Sequence, residues 1–271
     1  MNALAELMVQ LKTRPAVLVS VQSARGSVPR EVGAWMAVFV DTVVDTIGGG
    51  RLELDALAHA RAMLRSAGTD RDAQTLLYRL GPGLGQCCGG EVQLHYEVLT
   101  AADAPDVRSR LARHDVPLAL FGGGHVGRAL VQVLSSLSLS IHWIDSRDEI
   151  FPALVPDMVH AEHSDPVQAA VPGLASGSQV LIMSFSHAED LDIVAACLQR
   201  QRERRDLPYI GLIGSKTKWA SFRSRLAARG FLDAELDQVT CPIGIPGIAD
   251  KRPEAIAIAV AAQLLLLQKT A

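Results

Sequence analysis

The 271-residue chain reads as an α/β protein, with a mixed α+β domain first and a doubly wound parallel-sheet domain after it. Two observations carry this. From Val116 onward, continuous apolar runs at residues 116–121, 140–144, 179–183 and 209–213 alternate with helical patterns that reach Leu134 and span residues 187–202 and 216–229. Apolar runs of that length are strands buried on both faces, and strands alternating with helices build a parallel sheet. Before that point the alternation is absent. Turn-rich segments there separate short valine-rich strands, and the polar stretch at residues 101–105 is the joint. The domains are therefore set at residues 1–112 and 113–271.

In the first half, residues 1–12 have apolar positions at helical spacing and lack a basic start followed by an apolar core. They predict a helix and not a signal peptide. Strands are expected at residues 16–21 and, once or twice, within 35–44, with an arginine-bearing loop at 24–30 between them. The glycine run at residues 48–50 leads into a helix with apolar Leu54, Leu57, Ala58 and Met63. Strands at 74–80 and 91–99 flank a glycine–cysteine loop, and a short helix follows at 107–113.

Composition excludes several classes. A net charge of −3 gives no electrostatic case for a nucleic-acid partner. The four cysteines, at 87, 88, 197 and 241, do not resemble a disulfide framework, so a reducing, cytoplasmic setting is expected. The apolar tail at residues 255–267 is shorter than the ~20 residues of a membrane span. It is expected as a buried final helix, with no membrane association.

Gly122-x-Gly124-x-x-Gly127 follows the first strand of the second half and opens a helix, where a Rossmann-like dinucleotide turn belongs. Its glycines permit a tight turn, and the helix start, including His125, offers N–H groups to a phosphate. Asp145 ends the next strand, near the position of a ribose-binding carboxylate, with Arg147 as a phosphate partner or a loop cap. The same turn also serves helix–strand packing where no nucleotide binds. His187 and Asp190 lie at the carboxyl edge of the sheet, where open α/β folds place ligands. Ser186 and Glu189 beside them form a capping box. The mixed charges at 200–205 read as a solvated helix end, and Cys197 as core.

Gly85-Gln86-Cys87-Cys88-Gly89-Gly90 is the most distinctive string. Adjacent cysteines could be small buried hydrophobes, but a packed core position does not need glycine on both sides. The string suits a loop whose thiols and main chain approach a ligand, a soft metal or sulfur. Cys87 and Cys88 are thus candidate metal or sulfur contacts. Gln86, Gly89 and Gly90 complete the candidate ligand loop. A zinc site is disfavoured, because adjacent residues chelate one ion awkwardly.

Taken together, Gly26-Ser27-Val28-Pro29-Arg30, Ile47 to Glu53, Gly85 to Gly90, Phe121 to Gly127, Ser186 to Asp190, Gly211 to Lys216 and Cys241-Pro242-Ile243-Gly244 resemble the XdhC/CoxI family of accessory proteins for molybdenum hydroxylases. Gly244-Ile245-Pro246-Gly247-Ile248 is closer to the branch that serves xanthine dehydrogenase. The resemblance implies a chaperone rather than an enzyme. It would bind the molybdenum cofactor (Mo-molybdopterin), support its sulfuration by a cysteine desulfurase and deliver it to apo-xanthine dehydrogenase. It also implies contact with molybdenum cofactor biosynthesis proteins and a homo-oligomer. On this reading the cysteine loop meets the metal or incoming sulfur. The turn at Gly122, Gly124 and Gly127 meets the phosphate, in a partly exposed site helped by Arg25, Arg30 and Arg51.

Two other classes remain open. One is an NAD(P)-dependent oxidoreductase with His187 as proton donor, which leaves the cysteine loop unexplained. The other is a redox-sensing or metal-storage module built on Cys87 and Cys88.

Overall fold

The computed structural model describes residues 3–66, 72–81, 89–111 and 115–268. The chain divides into two compact units, Met1–Ala112 and Arg113–Ala271.

Unit 1 is a five-stranded antiparallel sheet with helices on both faces. Its strands are β1 (Ala16–Arg25), β2 (Trp35–Val38), β3 (Val43–Asp45), β4 (Gln74–Arg79) and β5 (Glu91–Leu99), in the order β3-β2-β1-β5-β4. Side chains alternate across a strand, so Val17, Val19 and Val21 face one side and Ala16 and Leu18 the other. The first set packs on Leu52, Ala56 and Ala60 of α2 (Gly50–Ser66). The second packs with Leu7 and Leu11 of α1 (Ala3–Leu11) and Val107 of α3 (Ala104–Leu111). Strand β1 continues through Arg25, into residues expected as loop. Pairing of Ser23, Ala24 and Arg25 with Gln93, Val92 and Glu91 extends it past a register shift.

Unit 2 holds six parallel strands: β6 (Val116–Phe121), β7 (Leu139–Asp145), β8 (Val159–His163), β9 (Gln179–Ile182), β10 (Tyr209–Leu212) and β11 (Val239–Thr240). Their order, β11-β10-β9-β6-β7-β8, is that of a Rossmann sheet, with the topological switch at β6 and β9. Leu118 and Leu120 pack with α4 (His125–Leu134) and α8 (Pro253–Gln268). Ala119 and Phe121 pack on the opposite layer, which includes α5 (His187–Arg204) and α6 (Lys216–Ala228), with α7 (Asp233–Leu236) beside them.

Two expectations about burial need correction. Helix α8 is only half-buried: Ala257, Val260, Ala261 and Leu264 enter the core, while Ile258, Leu265 and Leu266 face solvent. Arg200 is not part of a solvated helix end. It is 4% exposed, pairs with Asp206 at 2.9 and 2.7 Å, and donates to the Val171 carbonyl at 2.8 Å. A buried guanidinium needs such partners, and here a carboxylate just past the helix end supplies them. Among the described residues, no helix is long and apolar enough to cross a membrane.

Candidate functional site

In unit 2 the glycine turn sits at the switch point. Three of its glycines are accounted for by packing. Gly122 has φ +124°, and a Cβ there would collide with the Met183 carbonyl at the end of β9. A Cβ on Gly127 would strike the Gly122 carbonyl, and one on Gly123 would come within 2.7 Å of Ile150. Gly124, the N-cap of α4, differs: a Cβ there would meet nothing within 4 Å. Its openness, beside exposed His125 and the positive end of the helix, leaves room for an anionic group at the main chain.

Asp145 is only 1% exposed, and both its oxygens are engaged. Oδ1 accepts from the Arg147 N–H (2.9 Å) and Nε (2.8 Å). Oδ2 accepts from the Gly123 N–H (2.6 Å) and Arg147 Nη2 (2.9 Å). Burial alone raises the carboxyl pKa, but the bonds from Arg147 and Gly123 outweigh it and hold it below the usual carboxylate range. The Arg147 guanidinium also lies 4.5 Å from the ring centre of exposed Phe185. The expected ribose carboxylate therefore serves as an internal clamp in this structure.

The loop after β9 is tied down in the same way. Ser186 caps α5 by accepting from the Glu189 N–H at 3.2 Å. The Glu189 carboxylate does not complete a reciprocal box. It accepts from Phe185 N–H (3.1 Å) and Ser146 Oγ (2.8 Å), joining the loops after β7 and β9. Asp190 is buried. It accepts from Ser184 N–H and Oγ at 2.8 and 2.7 Å and pairs with Lys218 Nζ at 2.6 Å. Lys218 in turn donates to the Ile213 carbonyl at 2.8 Å. These bonds give Asp190 a structural role. His187 is exposed at the start of α5, its ring 6.3 Å from that of Phe222.

Cys241 is half-buried near this pair, and burial pushes its thiol pKa up. Cys197 is fully buried, with its thiol pushed up to about 12 by desolvation, and is inert core.

In unit 1, strands β4 and β5 form an antiparallel hairpin, and residues 80–90 connect them. The Leu80 N–H donates to the Gly90 carbonyl at 2.8 Å and closes the neck. Gln86, Cys87 and Cys88 fall in this connection, outside the described residues. A Cβ on Gly90 would lie 2.5 Å from the Arg25 carbonyl and 2.6 Å from that of Ser27, so the end of β1 and the 26–28 loop rest on the neck. Gly89 faces open space, and Arg25 is exposed.

The third glycine string joins the same place. Gly48, φ +117°, packs on Pro29 and Arg30, and Arg30 Nη1 donates to the Thr46 carbonyl at 3.4 Å. Glu53 on α2 holds this turn from beneath, accepting from the Ile47 and Gly49 N–H groups at 3.1 Å each and from the Thr46 hydroxyl. The 26–30 segment thus touches both Gly90, through Gly26 and Ser27, and the Gly48 turn, through Pro29 and Arg30. Arg51 instead pairs with Asp55 along its own helix.

The sequence reading did not assign Glu53 or Lys218. Each stands within one helical turn of a glycine-containing turn whose N–H or carbonyl groups need partners, which was the available signal.

Fold and turn together define a two-unit protein whose second half is a Rossmann domain. Comparison with known proteins makes the assignment specific. The sequence model of the XdhC Rossmann domain matches residues 118–264, and that of the XdhC and CoxI family matches residues 10–78. The chain belongs to the XdhC and CoxI family. YqeB of Escherichia coli (strain K12), an uncharacterized protein, is 25% identical over 259 residues, covering 95% of this chain and 44% of YqeB. The chain thus spans less than half the length of that relative.

Among solved structures, one described as a xanthine dehydrogenase from Bacillus halodurans superposes with a TM-score of 0.79 at 21% identity, covering 100% of this chain and 96% of the other, and shows the same fold. A Rossmann-fold NAD(P)-binding family protein from Shigella flexneri matches 58% of this chain and 88% of its own, with TM-score 0.38 and 16% identity.

Proposed function

We propose that this chain is an accessory factor for xanthine dehydrogenase that carries the molybdenum cofactor to the apo-enzyme and supports its sulfuration with a cysteine desulfurase. Family membership points to the accessory role. The observation that supports the cargo is that the 26–30 segment touches both Gly90, two residues after Cys88 in sequence, and the Gly48 turn. Cys87 and Cys88, two soft ligands, precede in sequence a main chain that is open at Gly89, and Arg25, the register partner of Glu91, is exposed, which suits an anionic, sulfur-rich cargo. In unit 2, the open main chain at Gly124 supports a phosphate-binding role for the start of α4.

The test is to express the full chain in cells able and unable to make molybdopterin, and to measure molybdenum and pterin fluorescence in the purified protein. Molybdenum and pterin should co-purify only from the first. Cys87→Ala or Cys88→Ala should lower the molybdenum content while circular dichroism stays unchanged. Equal molybdenum in both cysteine variants and the parent protein would refute the assignment.

A further inference from the structure

We propose that His142, His160 and Glu162 form a binding site for a divalent first-row transition-metal ion on the outer strands of the parallel sheet. His142 on β7 and His160 on β8 are register partners, so their side chains leave neighbouring strands side by side. Glu162 lies two residues beyond His160, and the period of a strand places it on the same face. The three side chains already meet. His142 Nε2 and Glu162 Oε2 are 2.6 Å apart, and the two imidazole centres are 5.2 Å apart. One ligand atom from each residue can be chosen so that all lie within 4.8 Å of one another.

Metal bonds of about 2.0–2.2 Å hold such ligand atoms roughly 3.3 Å apart. His160 is exposed and Glu162 only partly buried, so rotation about their side-chain bonds is the movement the site requires. A His–Glu hydrogen bond alone accounts for His142 and Glu162, but it gives no reason for a second imidazole on the same face.

The donor set selects the ion. Two imidazoles and one carboxylate suit zinc, cobalt, nickel or iron(II). They do not suit calcium or magnesium, which prefer all-oxygen shells, nor soft ions that prefer thiolates. His142 and Glu162 are 28% and 35% exposed, so further coordination positions open to water. Among the described residues, strand β8 is the last of the sheet and pairs with β7 alone. An ion held by both strands fastens that edge.

The full chain, stripped with a chelator, is titrated with Zn²⁺ by calorimetry and with Co²⁺ by absorption, in a Cys87→Ser/Cys88→Ser background that removes competing thiols. The expected result is one ion per chain, with a visible cobalt spectrum that lacks the sulfur charge-transfer band, and a melting temperature that rises with zinc. His160→Ala, at an exposed position, should weaken zinc binding about tenfold or more and remove the melting shift, with unchanged circular dichroism. Glu162→Gln, which keeps a hydrogen-bond acceptor for His142, should weaken it as well. Absence of saturable zinc binding, or equal affinity in parent, His160→Ala and Glu162→Gln, would overturn the proposal.

Discussion

Arg147 holds Asp145 with two guanidinium hydrogen bonds, Nε to Oδ1 at 2.8 Å and Nη2 to Oδ2 at 2.9 Å, and the Gly123 N–H completes the clamp. In a dinucleotide-binding Rossmann domain the carboxylate at this place meets the ribose hydroxyls. Here any ribose must compete with an ion pair. Arg147→Ala removes that competitor, so if the turn takes a nucleotide the variant should bind NADH about tenfold tighter than the parent, or by about 1.4 kcal/mol. Calorimetric titration of both proteins decides it: a variant that binds NADH no better than the parent shows that the clamp does not gate the ribose position.

The same clamp has a pH signature. The folded carboxyl of Asp145 titrates below its ordinary value, so its contribution to stability is complete above the unfolded pKa of about 3.9. It is lost as pH falls through the lower folded value. Asp145→Asn should cost about 2 kcal/mol at neutral pH, because the amide nitrogen faces a donor that the carboxylate accepted. Below about pH 4 the difference from the parent should shrink. Urea unfolding at pH 7 and pH 3.5 measures both; a difference that is constant with pH contradicts the clamp.

How far the sequence was legible depends on where the partner lies. Strand β6 could be read because burial on both faces makes Val116–Phe121 continuously apolar. Strand β8 could not, since Val-His-Ala-Glu-His alternates and belongs to the sheet only through its register with β7. Asp145 and Asp190 were found as positions, because loops at the carboxyl edge of such a sheet are where polar groups gather. Their engagement by Arg147 and Lys218 was not, because a sequence shows a charge without showing which opposite charge faces it. Arg200 shows the same limit: a run of mixed charges looks solvated until Asp206 folds back on it. The contacts of the 26–30 segment with Gly90 and with Gly48 are tertiary, and no local pattern encodes them.

The glycine neck in unit 1 should tolerate little. A methyl group on Gly90 meets two backbone carbonyls that cannot rotate away, at 2.5 and 2.6 Å. Gly90→Ala should therefore destabilise by roughly 1–3 kcal/mol. Gly89→Ala, where a Cβ meets nothing, should be within about 0.5 kcal/mol of the parent. Denaturant midpoints of the two variants, measured side by side, separate packing at the neck from a general intolerance of the loop. Similar losses in both would show that the Gly90 contact is not the cause.

Asp190 and Lys218 offer the cleanest distinction between a chemical and a structural role at the sheet edge. The pair is buried, 3% and 12% exposed at the side chains, and it ties the turn after β9 to the first turn of α6. Lys218→Met keeps the stem but leaves the Asp190 carboxylate without its cation and the Ile213 carbonyl without its donor. Breaking a buried pair from one side costs about 3 kcal/mol. In Lys218→Met/Asp190→Asn the uncompensated charge is gone, while the amide oxygen still accepts from Ser184. The double variant should recover at least about 1 kcal/mol relative to Lys218→Met. Chemical unfolding of the four proteins in the cycle gives the coupling energy. On the proposed carrier role, molybdenum content per folded chain should stay near the parent level in the double variant if the pair only positions loops. Additive losses in the cycle would mean that the two groups act independently, and that the ion pair does not hold the edge together.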